Sequence, residues 1–306
     1  MELSLVVTIY NDEDIVPILT TEIIKSLEEL NISYEIIYVN DNSADNSEQA
    51  IALESAKNPF VKGISLSRNY GQQVAMSAGI HAAIGEHIII MDGDLQNPPS
   101  EIPRLYRKIK EGFDIIYCIS KSRNNFWDEM TSKFFWFILV KVFKVKIIKD
   151  QLMMKIMTRE FAANYNQYNE VNRTVDGIVT DIGLKYGILE IENRKRYSGK
   201  SNYNFIKRFN LMIDMIISLS TAPLNFMIYL GFIIFFFTSA ASLHYFYQYF
   251  VLDVTPGFTS ILLSLFFFGS IIILMLGFIG RYLSNIYTEV RQRPLYIIRK
   301  KYNFNG

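Results

Sequence analysis

The sequence is poor in the residues that build disulfides and metal clusters. Its 306 residues include one cysteine, Cys118, and three histidines, His81, His87 and His244. A single cysteine excludes an internal disulfide and a zinc site built from cysteine ligands. The histidines form no cluster with metal-ligand spacing, which disfavours a histidine-based metal site and a Ser-His-Asp hydrolase.

The sequence also lacks an excess of one charge. Its 31 Lys and Arg residues balance 30 Asp and Glu residues, which gives no reason to expect nucleic acid as a partner. Charged residues are absent between Asp214 and Asp253, and again between Asp253 and Arg281. Roughly 20 apolar residues cross a bilayer. We therefore predict two transmembrane helices, near Ala222–Tyr247 and Phe258–Gly280, because buried helices of soluble proteins are seldom this long without a charge.

The charges around these two stretches predict their orientation. The short link between them carries no Lys or Arg, whereas the flanks carry eight: Lys207, Arg208, Arg281, Arg291, Arg293, Arg299, Lys300 and Lys301. The positive-inside rule then places both flanks in the cytoplasm. Met1 leads directly into a strand pattern, so we expect the polar part of the chain and both termini to be cytoplasmic.

Two further segments have the composition of helices that lie on a membrane surface. Thr131–Val145 has an apolar core too short to span, punctuated by lysines, and Tyr203–Leu219 leads into the first predicted span. For Thr131–Val145, an ordinary helix packed on a sheet remains an equal alternative. The predicted domains are a catalytic domain over 1–202, an interfacial helix over 203–221, two spans within 222–280 and a basic tail over 281–306.

The first 120 residues alternate between strand and helix patterns. Short apolar runs predict strands at Leu3–Ile9, Glu35–Asn40, Gly63–Ser67, His87–Met91 and Phe113–Ser120. Helical periodicity is found at Ile15–Leu30, Gly71–Ile84 and Pro99–Glu111. Near-continuous apolar strands alternating with helices predict an α/β fold with a mostly parallel sheet covered on both faces.

Polar clusters stand where the predicted strands end. They are Tyr10–Glu13, Asn40–Asp45, Arg68–Gln72 and Asp92–Gln96. Ligands of open α/β sheets bind beyond the carboxyl ends of the strands. No GxGxxG follows the first strand and no GxxxxGK[ST] occurs, which disfavours a dinucleotide site and a P-loop.

The segment MDGDLQNPP carries two carboxylates, Asp92 and Asp94, directly after a buried strand. Oxygen ligands on a tight turn suit a hard divalent cation, and Gln96 offers a third oxygen. A DxD pair is common by chance, but its position at a strand end strengthens the interpretation. These features favour a nucleotide sugar whose diphosphate is bridged by a metal that stabilises the developing charge.

Six ordered motifs resemble one known family. SLVVTIYNDE, VNDNSADNS, SRNYGQQVAMSAG, DGDLQNPP, RYSGKSNY and IGRYLSNIYTEVRQRPLY are similar to those of the polyprenyl-phosphate glycosyltransferases of glycosyltransferase family 2. This family includes dolichol-phosphate mannose synthase and the bacterial bactoprenol glucosyltransferases, and the resemblance covers nearly the whole chain. The motifs are specific for family and reaction type but not for the sugar.

The resemblance implies an activity and a location. It implies transfer of one sugar, with inversion, from a nucleotide sugar to undecaprenyl phosphate, for O-antigen or another surface glycan, and UDP is the favoured nucleotide. The enzyme would be a multi-pass protein of the bacterial inner membrane that uses Mg²⁺ or Mn²⁺. Bacterial relatives assemble as homo-oligomers, often tetramers.

The resemblance also implies roles for individual residues. The nucleotide pocket would be formed by Tyr10, Asn11, Glu13, Asp41, Arg68 and Gln72. The metal ligands would be Asp92, Asp94 and Gln96. Arg196 and Ser201 would hold phosphate, and Arg291 and Arg293 would meet the acceptor phosphate unless they serve only as membrane anchors. Asp41 and Asp45 have a structural alternative as helix caps.

The sequence departs from the family pattern at the expected catalytic acid. Met153 stands where the family has an acid and Lys155 where it has an arginine, so Asp150 and Asp176 are the nearest candidates for a base. A phosphomonoester at pH 7 already carries about −1.5 to −2 charges and needs no deprotonation. The predicted catalytic residues are therefore Asp94, Asp150, Asp176 and Arg196, with the two candidate bases individually dispensable.

Two other classes of function stay open. A polysaccharide-extending synthase should carry a QxxRW-like motif and more spans, and the sequence has neither. A non-catalytic membrane scaffold should have lost the metal carboxylates, whereas Asp92 and Asp94 are retained.

Overall fold

The computed structural model describes residues 1–120, 151–168, 170, 175–183, 185–192, 222–252 and 257–304. The chain divides into two compact units. In the described part, one unit holds eight strands and six helices, and the other holds two long helices. The predicted surface helices at 131–145 and 203–219 lie outside the described residues, as do Asp150, Arg196 and Ser201.

The first unit is built on one eight-stranded sheet in the order β7-β5-β6-β4-β1-β2-β3-β8. Its strands are β1 Leu3–Ile9, β2 Tyr34–Asn40, β3 Val61–Leu66, β4 His87–Asp92, β5 Ile115–Ser120, β6 Gln151–Thr158, β7 Tyr186–Ile191 and β8 Ile298–Tyr302. Its helices are α1 Ile15–Glu28, α2 Ser47–Lys57, α3 Gln72–Ala82, α4 Ile102–Ile109, α5 Arg159–Gln167 and α6 Val175–Ile182. A short 3₁₀ turn, Pro99–Glu101, precedes α4.

The sheet is mostly parallel, as the sequence predicts. Strands β4, β1, β2 and β3 are parallel neighbours, and β7 is parallel to β5. β6 runs antiparallel between β4 and β5, and β8 pairs antiparallel with β3. The five predicted strands agree with the structure to within two residues, whereas β6, β7 and β8 lack a clear sequence signal.

Helices cover both faces of the sheet. Alternate residues of β1 point to opposite sides, so Leu5 and Val7 join a core cluster with α1 while Val6 joins a second cluster with α3. All seven residues of β1 are buried. Burial on both faces explains why this strand is a mostly apolar run rather than an alternating one.

The second unit contains two long apolar helices, α7 (Ala222–Leu252) and α8 (Phe258–Val290). Within the described residues, Phe267–Val290 is the stretch that is both long and apolar enough to cross a membrane, with a mean hydropathy of 1.7. Leu224–Thr238 of α7 is apolar but shorter. The exposed apolar side chains of both helices form the kind of surface that lipid covers. Two spans forming a hairpin remain a prediction.

Much of the region predicted as a basic tail, 281–306, forms regular secondary structure. Residues 281–290 continue α8, and Ile298–Tyr302 forms the edge strand β8 of the catalytic sheet. The lysines and arginines concealed this strand from sequence reasoning, since they are depleted in strands generally but tolerated on an exposed edge.

Candidate active site

A cavity of about 240 Å³ opens beyond the carboxyl ends of β1, β2 and β4. Its walls come from all four polar clusters singled out in the sequence, from the end of β1 and from α3. They are formed by Thr8, Ile9, Tyr10, Asp12, Asp41, Asn69, Gly71, Gln72, Ala75, Asp92, Gly93 and Asp94. Parallel strands bring their carboxyl ends to one edge of the sheet, and this explains the convergence.

The two carboxylates of the DGD segment both line this cavity. Asp92 is the last residue of β4, and the amide of Gly93 donates to the Thr8 carbonyl oxygen at 3.2 Å. A Cβ at position 93 would lie 2.9 Å from that oxygen and 2.5 Å from Ile9 Cδ1. Glycine is therefore required for the turn to pass this close to β1, which keeps Asp92 and Asp94 at the same opening.

Neighbouring residues orient these carboxylates. The Gln72 side-chain amide donates to Asp92 Oδ1, and the backbone amide of Gln96 donates to Asp94 Oδ1 at 3.1 Å. Gln72 is the first residue of α3, so this contact links the helix to the end of β4. Gln96 is not part of the cavity lining, and it contacts Asp94 through its backbone amide. A role for its side-chain oxygen as a metal ligand remains a prediction.

The donor set suits a hard divalent cation that shares its coordination with a ligand. Asp92 and Asp94 offer carboxylate oxygens, the ligands that Mg²⁺ and Mn²⁺ prefer. Within the described ranges, no three His, Cys, Asp or Glu side chains are grouped closely enough to hold a metal by themselves. A cation here would complete its coordination with water and phosphate oxygens, as Mg²⁺ does at nucleotide sites.

Residues 10–13 divide between the cavity wall and the loop behind it. Tyr10 is half-exposed and Asp12 lies beside it in the lining. Asn11 and Glu13, predicted for the nucleotide pocket, instead accept hydrogen bonds from the backbone amides of Ala44 (2.8 Å) and Asn46 (2.7 Å). They join the loops after β1 and β2 and are absent from the cavity lining.

Asp41 also has a structural task at the cavity wall. Its two carboxylate oxygens accept the backbone amides of Tyr70 and Gly71, each at 2.8 Å, and only 3% of the residue is exposed. Burial raises the pKa of the Asp41 carboxyl, and the two amides and nearby Arg68 oppose that rise. Asp41 thus fixes the loop that carries Gly71, which has a φ of 92°.

Arg68 lies outside the cavity lining. Its guanidinium stacks over the Tyr70 ring at 4.1 Å from the ring centroid. Arg68 is therefore in contact with the loop that Asp41 holds. A role in nucleotide binding remains a prediction, whereas Tyr10, Asp41, Gln72, Asp92 and Asp94 are brought together at one cavity.

Strand β6 carries Met153, the residue at the position of the catalytic acid in the resembling family. Ile90 of β4 pairs with Lys155, so continuing the antiparallel register places Met153 level with Asp92. Met153 packs against the apolar core. Lys155 is 1% exposed, and its ammonium lies 2.7 Å from Asp176 Oδ1 of α6. The candidate base Asp176 therefore pairs with a buried cation.

Sequence reasoning overlooked two polar residues of the lining, Thr8 and Asp12, and interpreted Asn69 only as turn chemistry. Asp12 lies inside the Tyr10–Glu13 cluster, so the cluster itself was the available signal. The side of a loop that faces a cavity depends on its backbone turn, such as the φ of 57° at Asn11, which the residue pattern does not specify.

Comparison with known proteins identifies the family. The family model for glycosyl transferase family 2 matches residues 4–181. The chain belongs to glycosyltransferase family 2. Family membership makes this protein a glycosyltransferase, and all twelve residues that line the cavity lie within the matched range.

Relatives of this glycosyltransferase match along its full length. It is 34% identical over 301 residues to an uncharacterized glycosyltransferase of Synechocystis, covering 97% of this chain and 95% of the relative. It is 30% identical over 314 residues to the SfII prophage-derived bactoprenol glucosyl transferase of Shigella flexneri, covering 100% of both chains. A prophage bactoprenol glucosyl transferase homolog of Escherichia coli K12 is 31% identical over 310 residues, covering 98% of this chain and 99% of the relative.

One solved structure shows the same fold. Glucosyl-3-phosphoglycerate synthase of Mycobacterium tuberculosis, crystallised with Mn²⁺, UDP-glucose and phosphoglyceric acid, superposes with a TM-score of 0.50 at 16% identity. The match covers 71% of this chain and 78% of the synthase. At this identity the likeness concerns the fold of the α/β unit.

Proposed function

We propose that this glycosyltransferase is an integral membrane enzyme that transfers one sugar from a UDP-linked donor to undecaprenyl phosphate. The observation that carries the proposal is the full-length match to bactoprenol glucosyl transferases, which includes the long apolar helices as well as the catalytic unit. The cavity with Asp92 and Asp94 supports a nucleotide-diphosphate donor. Its 240 Å³ is smaller than the ~300–1,000 Å³ of typical ligand sites, so it would enclose part of the donor.

The residues of the cavity suit diphosphate departure. Asp92 and Asp94 would hold Mg²⁺ or Mn²⁺, which when bound neutralises charge that develops on the leaving UDP. Gln72 keeps Asp92 at the opening by hydrogen bonding, and Asp41 fixes the adjacent loop before the ligand arrives. Such preorganised contacts lower the barrier because they need no rearrangement during the reaction.

The acceptor supplies its own nucleophile. An oxygen of the lipid phosphate attacks the anomeric carbon while the bond from that carbon to the UDP oxygen breaks, which inverts the configuration and releases UDP. The phosphate is already ionised at pH 7, so no protein base has to remove a proton. Met153 in place of an acid is compatible with this acceptor, whereas a sugar hydroxyl would need a general base. Arg196 and Ser201 are the predicted phosphate contacts.

The membrane arrangement belongs to the proposal. Two spans, a cytoplasmic catalytic unit and cytoplasmic termini would bring the cavity to the membrane face where UDP-sugars are found. The product would serve O-antigen or other surface glycan synthesis in a bacterial inner membrane, and the enzyme would work as a homo-oligomer such as a tetramer.

The test is a transfer assay with purified protein, Mn²⁺, undecaprenyl phosphate and a panel of radiolabelled nucleotide sugars. We expect label from a UDP-sugar in the lipid fraction, and none when undecaprenol, which lacks the phosphate, replaces the acceptor. Label in a water-soluble polymer would instead identify a polysaccharide synthase. Absence of transfer from every donor would contradict the proposal.

A further inference from the structure

Strand β8 reaches the loop that forms one wall of the cavity. β8 pairs with β3 from Gly63↔Tyr302 to Leu66↔Ile298. The pairing continues one step beyond β3, where the amide of Ser67 donates to the Ile297 carbonyl oxygen at 2.9 Å. The chain that leaves β3 at this point forms the cavity wall within a few residues, so β8 sets where the loop begins.

Hydrogen bonds continue from that point to the cavity. The hydroxyls of Ser67 and Tyr70 are 3.1 Å apart, and the amides of Tyr70 and Gly71 donate to Asp41. Asp41 and Gly71 both line the cavity. The described contacts thus form an unbroken series from the backbone of Ile297 to the cavity wall.

Glu48 of α2 holds β8 in place. Its carboxylate accepts a hydrogen bond from the Tyr302 hydroxyl at 2.7 Å, forms an ion pair with Arg299, and lies 3.4 Å from Lys300 Nζ. The ring of Tyr302 covers Gly63, where a Cβ would lie 3.0 Å from the ring. One acidic side chain therefore meets three partners on β8.

We infer that β8, held by Glu48, is a positioning element for donor binding, which orders the loop 67–71 that walls the cavity. The identity of the donor in this inference rests on the proposed function. β8 follows α8 through residues 291–297, so the same chain segment that follows an apolar, span-length helix also supports the donor cavity. The alternative is that β8 only protects the edge of β3.

The experiment uses the full chain in detergent and the reversed charge Glu48→Lys, which would repel Arg299 and Lys300. Hydrogen exchange measures protection of the amides of 63–71, and calorimetry with UDP and Mn²⁺ measures affinity at a temperature where the variant stays folded. If the release of β8 in Glu48→Lys lowers the population of the ordered loop to about a tenth, the apparent Kd for UDP rises about tenfold. Adding Arg299→Glu and Lys300→Glu should restore both protection and affinity.

Matched controls separate a positioning role from edge protection. Tyr302→Phe removes the hydroxyl bound to Glu48, and Tyr186→Phe makes the same change on β7, the opposite edge of the sheet. We expect Tyr302→Phe to bind UDP more weakly than the wild type does, and Tyr186→Phe to bind UDP as tightly as the wild type. Faster exchange in Glu48→Lys with an unchanged Kd would overturn the inference, and so would unchanged exchange. If wild type fails to bind UDP, the proposed donor is wrong, and exchange at 69–71 still decides whether β8 orders the loop.

Discussion

The ammonium of Lys155 lies 2.7 Å from the carboxylate of Asp176, and this pair links the central strand β6 to the first turn of α6. Lys155 is almost completely buried, so its charge requires a partner. Asp176 provides it. This relationship gives Asp176 a structural reason to be present, independent of proton transfer, and it leaves the ionised acceptor phosphate as the nucleophile of the proposed reaction.

Replacing Asp176 should therefore affect stability more than chemistry. Asp176→Asn leaves the buried Lys155 unpaired and is expected to destabilise the fold by about 3 kcal/mol. The transfer rate of the folded protein should fall by far less than the ~10²–10⁴-fold expected from removing a general base. Thermal unfolding and initial rates at saturating donor measure both effects.

A double variant supplies the control for this pair. Lys155→Met with Asp176→Asn removes both charges, so it should be less destabilised than Asp176→Asn alone. A folded but inactive Asp176→Asn protein would show that Asp176 is the base after all.

Arg196→Ala should reduce activity more than Asp150→Asn. Arg196 is the predicted phosphate ligand, and charge-assisted hydrogen bonds to phosphate are strong. Asp150 is a candidate base that an ionised phosphate acceptor does not require. Initial rates of the two variants, with folding checked by gel filtration, decide the order. An inactive, folded Asp150→Asn alongside an active Arg196→Ala would refute the argument.

Asp94→Asn should abolish most activity and preserve the fold. The amide keeps an oxygen to accept the backbone N–H of Gln96, but it removes the charge that a divalent cation needs. We expect a loss of at least about a hundredfold, because metal stabilisation of a leaving group contributes several kcal/mol. Glu29→Gln, at the exposed residue that caps the C-terminus of α1, is the charge-removing control. Undiminished transfer in EDTA would contradict the metal assignment.

The predicted topology can be tested with single engineered cysteines. A cysteine replacing Thr255 should react with an impermeant thiol reagent added to intact cells, and one replacing Asn303 should not. The native thiol gives little background, because Cys118 is fully buried and burial raises its pKa to about 12. Labelling at 303 alone would reverse the orientation and place the cavity on the wrong side for cytoplasmic donors.

Docking of β8 should weaken in acid. Burial opposes ionisation of Glu48, but the Tyr302 hydroxyl, Arg299 and Lys300 outweigh it and hold the pKa of Glu48 below its ordinary 4.5. The stabilisation of β8 by ionised Glu48 is therefore complete above the ordinary pKa of a glutamate. It is lost as the pH falls through the lowered pKa of Glu48. Protection of the amides of 63–66 should fall in that range relative to β1, and Glu48→Gln should remove this pH dependence.

Local pattern was sufficient for the first part of the sheet. Mostly apolar runs of five to eight residues bounded by polar turns identified β1 to β5, because a strand buried on both faces is apolar along most of its length. β6 and β8 escaped detection because β6 has a lysine at its centre and β8 has three basic residues in succession. Lys155 is tolerated in β6 because it pairs with Asp176, which is distant in the sequence but adjacent in the fold. Lys300 is tolerated in β8 because it lies at the exposed edge of the sheet, near Glu48.

In the candidate site too, the sequence pattern predicts some features and only the tertiary structure decides the others. Sequence alone determined that carboxylates and amides follow several strands, and parallel topology then brings those strand ends together; this was enough to identify Asp92 and Asp94. Only the tertiary structure decided which polar residues face the cavity and which hold it. Asn11, Glu13 and Asp41 have the same side-chain chemistry as ligands, yet they accept backbone amides from loops some 30 residues away in the chain. A loop amide outside the helix and strand ladders pairs with whichever acceptor the fold brings near, and that pairing is set by three-dimensional proximity rather than by residue type.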